Sequence, residues 1–243
     1  MIKGIYRSAS GMLPRVKKEE AIANNLANAG TTGFKKDIVF SKELTRAEKR
    51  LRPTQVDWQT NLDSLVRVDQ APGVFDRTDN PLDIAIEGDG FFQLQGENGE
   101  RVLTRAGAFV VDSEGYLAFP GGYRVLGDGG TLQVGNGQVN IAQTGEVESD
   151  GAQIGRIVPQ TLDDLSRLQR LGGSLFAVPN GEETIPALSY TLRQGYLETS
   201  NVDVVNEMVD MIVEYRTYEA NARSLTTQDE SLDQLLNRVA GDR

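Results

Sequence analysis

The stretch VDVVNEMVDMIVEYRTYEANARSLTTQDESLDQLLNRV, Val202 to Val239, decides how the rest of the chain is read. Val204, Met208, Met211, Tyr215, Tyr218, Ala222, Leu225, Asp229, Leu232, Leu236 and Val239 follow one another in alternating steps of four and three, and only Asp229 is charged. That is a heptad seam. It predicts a helix on the order of 57 Å long at ~1.5 Å per residue, too long to fold back into a core of ordinary size. Ser200-Asn201-Val202-Asp203 predicts its start, with the Ser200 hydroxyl accepting from a free N–H of the first turn and Asp203 reaching back. No Gly or Pro intervenes before Gly241. Such a helix must find a partner.

The other end of the chain has the same pattern. Ile2, Ile5, Ala9, Met12, Val16, Glu19, Ala23 and Leu26 again step by three and four, which predicts a second amphipathic helix to about Asn28 with Gly30 as a left-handed stop. Pro14 predicts either a kink or a helix that begins there, because inside a helix it deletes a hydrogen bond and clashes with the preceding turn. From Thr31 to about Pro81 periodicity fades: a turn at Thr31-Thr32-Gly33, a short extended run from Phe34 to Ser41, and a charged stretch from Glu43 to Arg52. Trp58, the only tryptophan, reads as an anchor for this connector.

Between Ile84 and about Arg193 the pattern changes to strands. Phe91–Leu94, Ala108–Val111, Leu117–Phe119 and Tyr123–Leu126 are punctuated by Asn98-Gly99, Glu114-Gly115, Asp128-Gly129, Asn136-Gly137 and Asn180-Gly181, which are tight-turn signals. Leu162, Leu165 and Leu168, with Thr161 and Asp164 before them and Gly172-Gly173 after, predict one short helix. The expected fold class is α+β: long N- and C-terminal helices forming a coiled-coil-like pair, with a β-rich central domain inserted between them. The division this implies is an N-terminal helix over 1–32, an extended connector over 33–80, a β-rich domain over 81–194 and a C-terminal helix over 195–243.

Composition narrows the function. With no cysteine and no histidine among 243 residues, disulfides, the commonest metal ligand and the usual base of Ser and Cys hydrolases are all missing. The net charge of −10 is divided unevenly, +7 over residues 1–52 and −17 over the remainder. An acidic body disfavours nucleic acid, and the basic arm reads as a solvated helix face. No apolar run is long enough to span a membrane, and MIKGIYRSAS lacks the apolar core and cleavage pattern of a secretory signal. Export, if it occurs, is expected to take another route.

Three constellations could carry chemistry, and one of them, Tyr215 and Tyr218 beside Met208 and Met211, reads at heptad spacing as seam packing rather than an aromatic recognition stripe. Asp76, Asp79 and Asp83 surround Asn80-Pro81, but their spacing fits no calcium loop, and Asp or Asn beside Pro is ordinary turn chemistry. Gly88-Asp89-Gly90 and Gly127-Asp128-Gly129-Gly130 neither complete a dinucleotide fingerprint nor open a helix after a strand, so they read as turns. No nucleophile, base and oxyanion arrangement emerges. The reading is of a protein that is not an enzyme, with no cofactor, no metal site and no small-molecule substrate.

Particular residues resemble a known family. Ala23-Asn24-Asn25-Leu26-Ala27-Asn28 followed by Thr31-Thr32-Gly33-Phe34-Lys35 is similar to the N-terminal signature of the bacterial flagellar rod and hook axial proteins. Asn80 to Phe92, Thr104-Arg105-Ala106-Gly107-Ala108-Phe109 and Gly122 to Gly127 resemble the central domain of that family. Ser200-Asn201-Val202-Asp203, Glu207-Met208-Val209 and Tyr218-Glu219-Ala220-Asn221 resemble its C-terminal helix. The resemblance implies a building block of the basal-body rod whose terminal helices line a tube around the export channel, with the β domain outside. It also implies self-association, contact with other rod and hook axial proteins, and delivery in unfolded form by the flagellar type III export apparatus to a periplasmic rod, without a cleaved signal peptide. Length and a short connector favour the rod branch, leaning to the proximal over the distal type. The assembly interface is expected along both seams: Ile2, Ile5, Ala9, Met12, Val16, Ala23 and Leu26 on the first helix, and Val204, Met208, Met211, Tyr215, Tyr218, Ala222, Leu225, Leu232, Leu236 and Val239 on the second. Two rival readings stand beside it. One is a secreted oligomeric β-rich binding module or adhesin with coiled-coil helices; the other is a carboxylate-dependent glycan hydrolase resting only on Asp76, Asp79 and Asp83.

Overall fold

A computed structural model describes residues 2–41, 64–135, 137–179 and 181–240. Trp58, the charged stretch from Glu43 to Arg52, and Asn136 and Asn180 of two expected turns lie outside them. The chain divides into two compact units, one built from residues 1–27, 37–69 and 203–243 and the other from residues 28–36 and 70–202.

The first unit holds helix α1 (Ile2–Ala27), helix α2 (Val204–Ala240) and an antiparallel hairpin of β1 (Asp37–Ser41) and β2 (Ser64–Val68). α1 runs without interruption through Pro14. α2 begins later than the Ser200 signature suggests, because the true cap is Asp203: its Oδ1 accepts from the amides of Val205 at 3.0 Å and Asn206 at 3.1 Å, filling two donors that the first turn leaves unpaired. Ser200 instead accepts from Val202 N–H just upstream.

The expected coiled-coil-like pair of long terminal helices is corrected. Among the described residues there are two α-helices, a shorter N-terminal one of 26 residues and a C-terminal one of 37, around a mostly β central body. The heptad seam is not the surface that α2 turns onto α1. Val204, Met208 and Tyr215 of that seam are 38%, 48% and 59% exposed, whereas Glu207 and Glu214 are 9% and 3% exposed. Among the described side chains of α2 the half-buried and buried ones are Glu207, Met211, Glu214, Thr217, Tyr218, Asn221, Ala222, Leu225 and Gln228, and all but Thr217 and Ala222 follow a second four-three series. It shares Met211, Tyr218 and Leu225 with the expected seam and puts Glu207, Glu214 and Gln228 in place of Met208, Tyr215 and Asp229, while Ala222 of the seam stays half-buried beside Asn221. The helix is thus rotated by roughly 50°, half of the ~100° that separates successive residues. Periodicity could not choose between the two series, because they overlap at every second position.

The second unit is antiparallel β throughout. Its largest sheet runs Gln169–Gly172, Leu175–Ala177, Arg101–Thr104, Phe92–Gln95, Tyr123–Gly127, Leu117–Phe119 and Val110–Val111, with Gly130–Thr131 also pairing on Tyr123–Gly127. A three-stranded sheet is formed by Val139–Ile141, Glu146–Ser149 and Ala152–Arg156, and two-stranded pairs join Ile84–Gly88 to Tyr190–Gln194 and Phe75–Arg77 to Tyr196–Glu198. Alternate residues of these strands point inward, and Ile84, Ile86, Phe92, Leu94, Val102, Phe109, Leu117, Val125, Val147 and Leu192 meet in one core, where Phe92 and Phe109 pack edge to face at 5.0 Å. The expected helix after Thr161 is only a 3-10 turn, Leu165–Arg167, capped by Asp164. The left-handed residue expected at Gly30 is Gly33, at φ 64°, where a side chain would meet Ala106 N at 2.3 Å.

Candidate assembly surface and the polar contacts that frame it

In the second unit, the signature around Gly33 ends in a buried charge cluster. Phe34 and the Glu198 side chain are fully buried, and the Lys35 and Arg105 side chains are nearly so. Glu198 accepts from Lys35 Nζ at 2.5 Å through one carboxylate oxygen and from Arg105 Nε at 2.6 Å through the other. Further donors of both cations are used as well. Lys35 donates to Ala71 O at 2.8 Å, and the Arg105 guanidinium donates to the carbonyls of Ile86, Gly88 and Gly90. The Gly88-Asp89-Gly90 turn therefore folds around an arginine. Gly88 and Gly90, at φ 106° and 100°, supply the backbone bend that aims their carbonyls at it. Burial pushes the Glu198 carboxyl up, but Arg105 and Lys35 outweigh it and hold it below the ordinary value. Glu198 went unnoticed in the sequence. The available signal was a single charge, Arg105 and Glu198, in each of two otherwise strand-like or turn-like motifs; Lys35 stands in the charged run Lys35-Lys36-Asp37 and gave none.

In the first unit, the polar contacts fall on the inward face of α2. Asn25, 1% exposed, accepts from Asp37 N–H at 2.8 Å, and its amide group donates to Asp37 O at 3.0 Å and to Glu207 Oε2 at 3.2 Å, so one side chain binds α1, β1 and the first turn of α2 together. Two turns on, the Glu214 carboxylate takes Arg15 Nη1 and Lys18 Nζ, each at 2.7 Å. Burial pushes the Glu214 carboxyl up, and the hydrogen bonds and charges of Lys18 and Arg15 bring it below its ordinary value. With the carboxylates turned inward, α2 carries a run of exposed large apolar residues: Val204, Val205, Met208, Val209, Ile212, Val213 and Tyr215. Val205, Met208, Val209 and Ile212 lie on one helix face by spacing.

The expected interface residues are distributed accordingly. Val204, Met208 and Tyr215 are exposed; Met211, Tyr218, Ala222 and Leu225 are half-buried. On α1, Val16 and Ala23 are exposed, Met12 and Leu26 are half-buried, and the buried positions are Ala21, Ile22 and Asn25. Ile2, Ile5, Ala9, Leu232, Leu236 and Val239 lie on the helices, and their side chains are outside the described set. Asp229 is exposed to solvent. Two of the three aspartates of the rival hydrolase reading serve a turn, in which Asn80 Nδ2 donates to Asp83 Oδ1, Leu82 N–H donates to Asn80 Oδ1 and Arg77 pairs with Asp79, while Asp76 is exposed within the strand Phe75–Arg77. Among the described residues, no three Asp, Glu, His or Cys side chains gather as a metal site, and no helix is long and apolar enough to cross a membrane.

Comparison with known proteins places these features. Residues 5–35 match the flagella basal body rod protein family, residues 85–149 the flagellar hook protein FlgE/F/G D1 domain, and residues 193–238 the flagellar basal body rod FlgEFG protein C-terminal family. The chain is 31% identical to the flagellar basal-body rod protein FlgG of Bacillus subtilis, with 98% of this chain and 99% of the relative aligned. The chain belongs to the flagellar basal-body rod protein family. It is likewise 32% identical to FlgG of Agrobacterium fabrum, over 94% of this chain and 96% of the relative. Identity to FlgF of Caulobacter vibrioides is also 32%, over 100% of this chain and 98% of the relative. Relatives of both rod types thus stand at equal identity. As a rod-family protein the chain is a structural component of the flagellar basal body and of the motility apparatus. Each of the three family-matched stretches gives one member to the buried cluster: Lys35 from the first, Arg105 from the second and Glu198 from the third.

Proposed function

We propose that this rod-family chain is a subunit that self-associates, and joins other axial flagellar proteins, through its terminal helices, building the tube that transmits torque and encloses the export channel. One observation carries the reading. Over its first three turns α2 exposes seven large apolar side chains while it buries two carboxylates, the reverse of what a helix finished by its own chain does. Burying such side chains against neighbours is worth on the order of 1.5–3 kcal/mol each. The interface comprises the exposed members of both helices, with Val204, Met208 and Tyr215 at its centre. Location in a periplasmic rod, and delivery by the flagellar type III export apparatus as an unfolded chain without a cleaved signal, complete the proposal; the membership of the rod family supports both.

The test is Val209→Glu combined with Ile212→Glu, expressed in place of the natural chain. These exposed sites carry charge without loss of fold, so the purified variant should keep its helix content by circular dichroism. It should be missing from isolated basal bodies, and the cells should not spread in soft agar. Normal incorporation of the double variant would overturn the reading. A small closed oligomer whose size is independent of concentration would favour a secreted binding module instead.

A further inference from the structure

Helix α2 carries two overlapping four-three series, and hydrophobic burial alone favours the wrong one. Val204, Met208, Met211, Tyr215 and Tyr218 form an unbroken apolar seam, yet α2 turns Glu207 and Glu214 inward and leaves Val204, Met208 and Tyr215 exposed. Something other than apolar area selects the rotation. The two carboxylates have the geometry to do it. Glu214 bonds Lys18 and Glu207 bonds Asn25. Seven residues separate Lys18 from Asn25 and seven separate Glu207 from Glu214, two turns or ~10.5 Å on each helix, so both contacts belong to a single antiparallel register. Arg15, three residues before Lys18 on the same face of α1, closes on Glu214 from the neighbouring turn. Asn25 is itself fixed by two bonds to the Asp37 backbone. Glu207 therefore docks on a side chain already held by β1, and a slip or roll of α2 breaks both contacts at once.

We infer that Glu207 and Glu214 are positioning residues that set the rotation of α2 about its own axis and so determine which of its faces is offered to a second copy of this chain. Buried polar groups at single seam positions are a recognised means of choosing among apolar packings of similar quality, at some cost in stability. The last clause of the inference rests on the assembly reading above; the rotation itself does not.

The chain has no cysteine, so single cysteines at Met208 and Met211 report the two faces cleanly. In the otherwise natural chain, held as a monomer, Met208→Cys should react with a maleimide faster than Met211→Cys. In a Glu207→Leu/Glu214→Leu background α2 should roll to bury its apolar seam, and Met208→Cys labelling should slow by roughly tenfold, as expected for a site that must open before it reacts. Glu207→Gln/Glu214→Gln, which keeps hydrogen-bonding groups at both positions, should retain the natural pattern. The inference is overturned if Met208→Cys labels at an unchanged rate in the Leu background. It is equally overturned if both cysteines there label at the rate of a free peptide, for then the carboxylates hold the helices together without choosing a face. Incorporation of the Leu variant into basal bodies is scored separately: altered labelling with normal incorporation would leave the rotation standing and remove the assembly reading.

Discussion

Glu198 shows how much one side chain can hold. It is fully buried between two cations, and its partners lie 163 and 93 residues away in the sequence. Glu198→Gln keeps the shape but leaves two buried cations facing a neutral amide, a change of the kind that costs about 3–5 kcal/mol. Urea unfolding of the full chain should show that loss in the transition of the β unit. The pH dependence has a definite sign. The folded-state carboxyl lies below its ordinary value of 4.5, so its contribution is complete above that value and disappears as pH falls through the lower, folded one. Between pH 7 and pH 3 the natural chain should lose urea resistance more steeply than Glu198→Gln, and parallel curves would refute the assignment. Gly107 offers a steric counterpart. A Cβ there would stand 1.6 Å from Ile84 O, inside any possible contact distance, so Gly107→Ala should destabilise the same transition by at least the ~1–3 kcal/mol typical of overpacking.

At the scale of elements, α2 starts where a single carboxylate caps it. Asp203→Ala should cost about 1 kcal/mol, measurable as faster hydrogen exchange at the amides of Val205 and Asn206 with no change in the strands. The elements themselves were largely legible. Leu117–Phe119 was expected with the bounds observed, Tyr123–Leu126 and Phe91–Leu94 within one residue, and Asn98-Gly99 and Glu114-Gly115 do turn between paired strands, with both glycines left-handed. These signals are local, set by side-chain alternation and by the φ that only glycine adopts cheaply. The rotation of α2 was not legible, because it depends on where Asn25, Arg15 and Lys18 stand on another helix. Glu198 was hidden for the same reason: a carboxylate in Tyr-Leu-Glu-Thr looks solvated until residues from two distant motifs arrive around it. Of the proposed assembly surface, Val204, Met208 and Tyr215 were expected from spacing, while Val205, Val209 and Ile212 are added by their exposure on the face that the roll of the helix uncovers.

Across the whole molecule, apolar burial is divided unequally. Among the described residues, Ala21 and Ile22 are the only buried hydrophobic side chains of the helical unit; all the others belong to the β unit. Stability follows burial, and regions with few buried contacts open first. Hydrogen exchange on the monomer should therefore protect Ile84, Phe92, Leu103 and Val125 to the level of global unfolding, while amides along α2 exchange orders of magnitude faster. Uniform protection across both units would contradict the division. The same asymmetry gives the helices little to lose and much to gain from neighbours, as a structural subunit requires.

The cluster of Lys35, Arg105 and Glu198 also imposes an order in time. In a chain that emerges N-terminus first, the two cations appear long before the carboxylate that closes on them, and the strands around Arg105 reach their places with that acceptor still to come. The β unit can collapse early, but it cannot lock until residue 198 is out. Locking then coincides with release of the segment that leads directly into α2. The last member of the buried cluster thus joins the body just ahead of the helix proposed to meet other subunits.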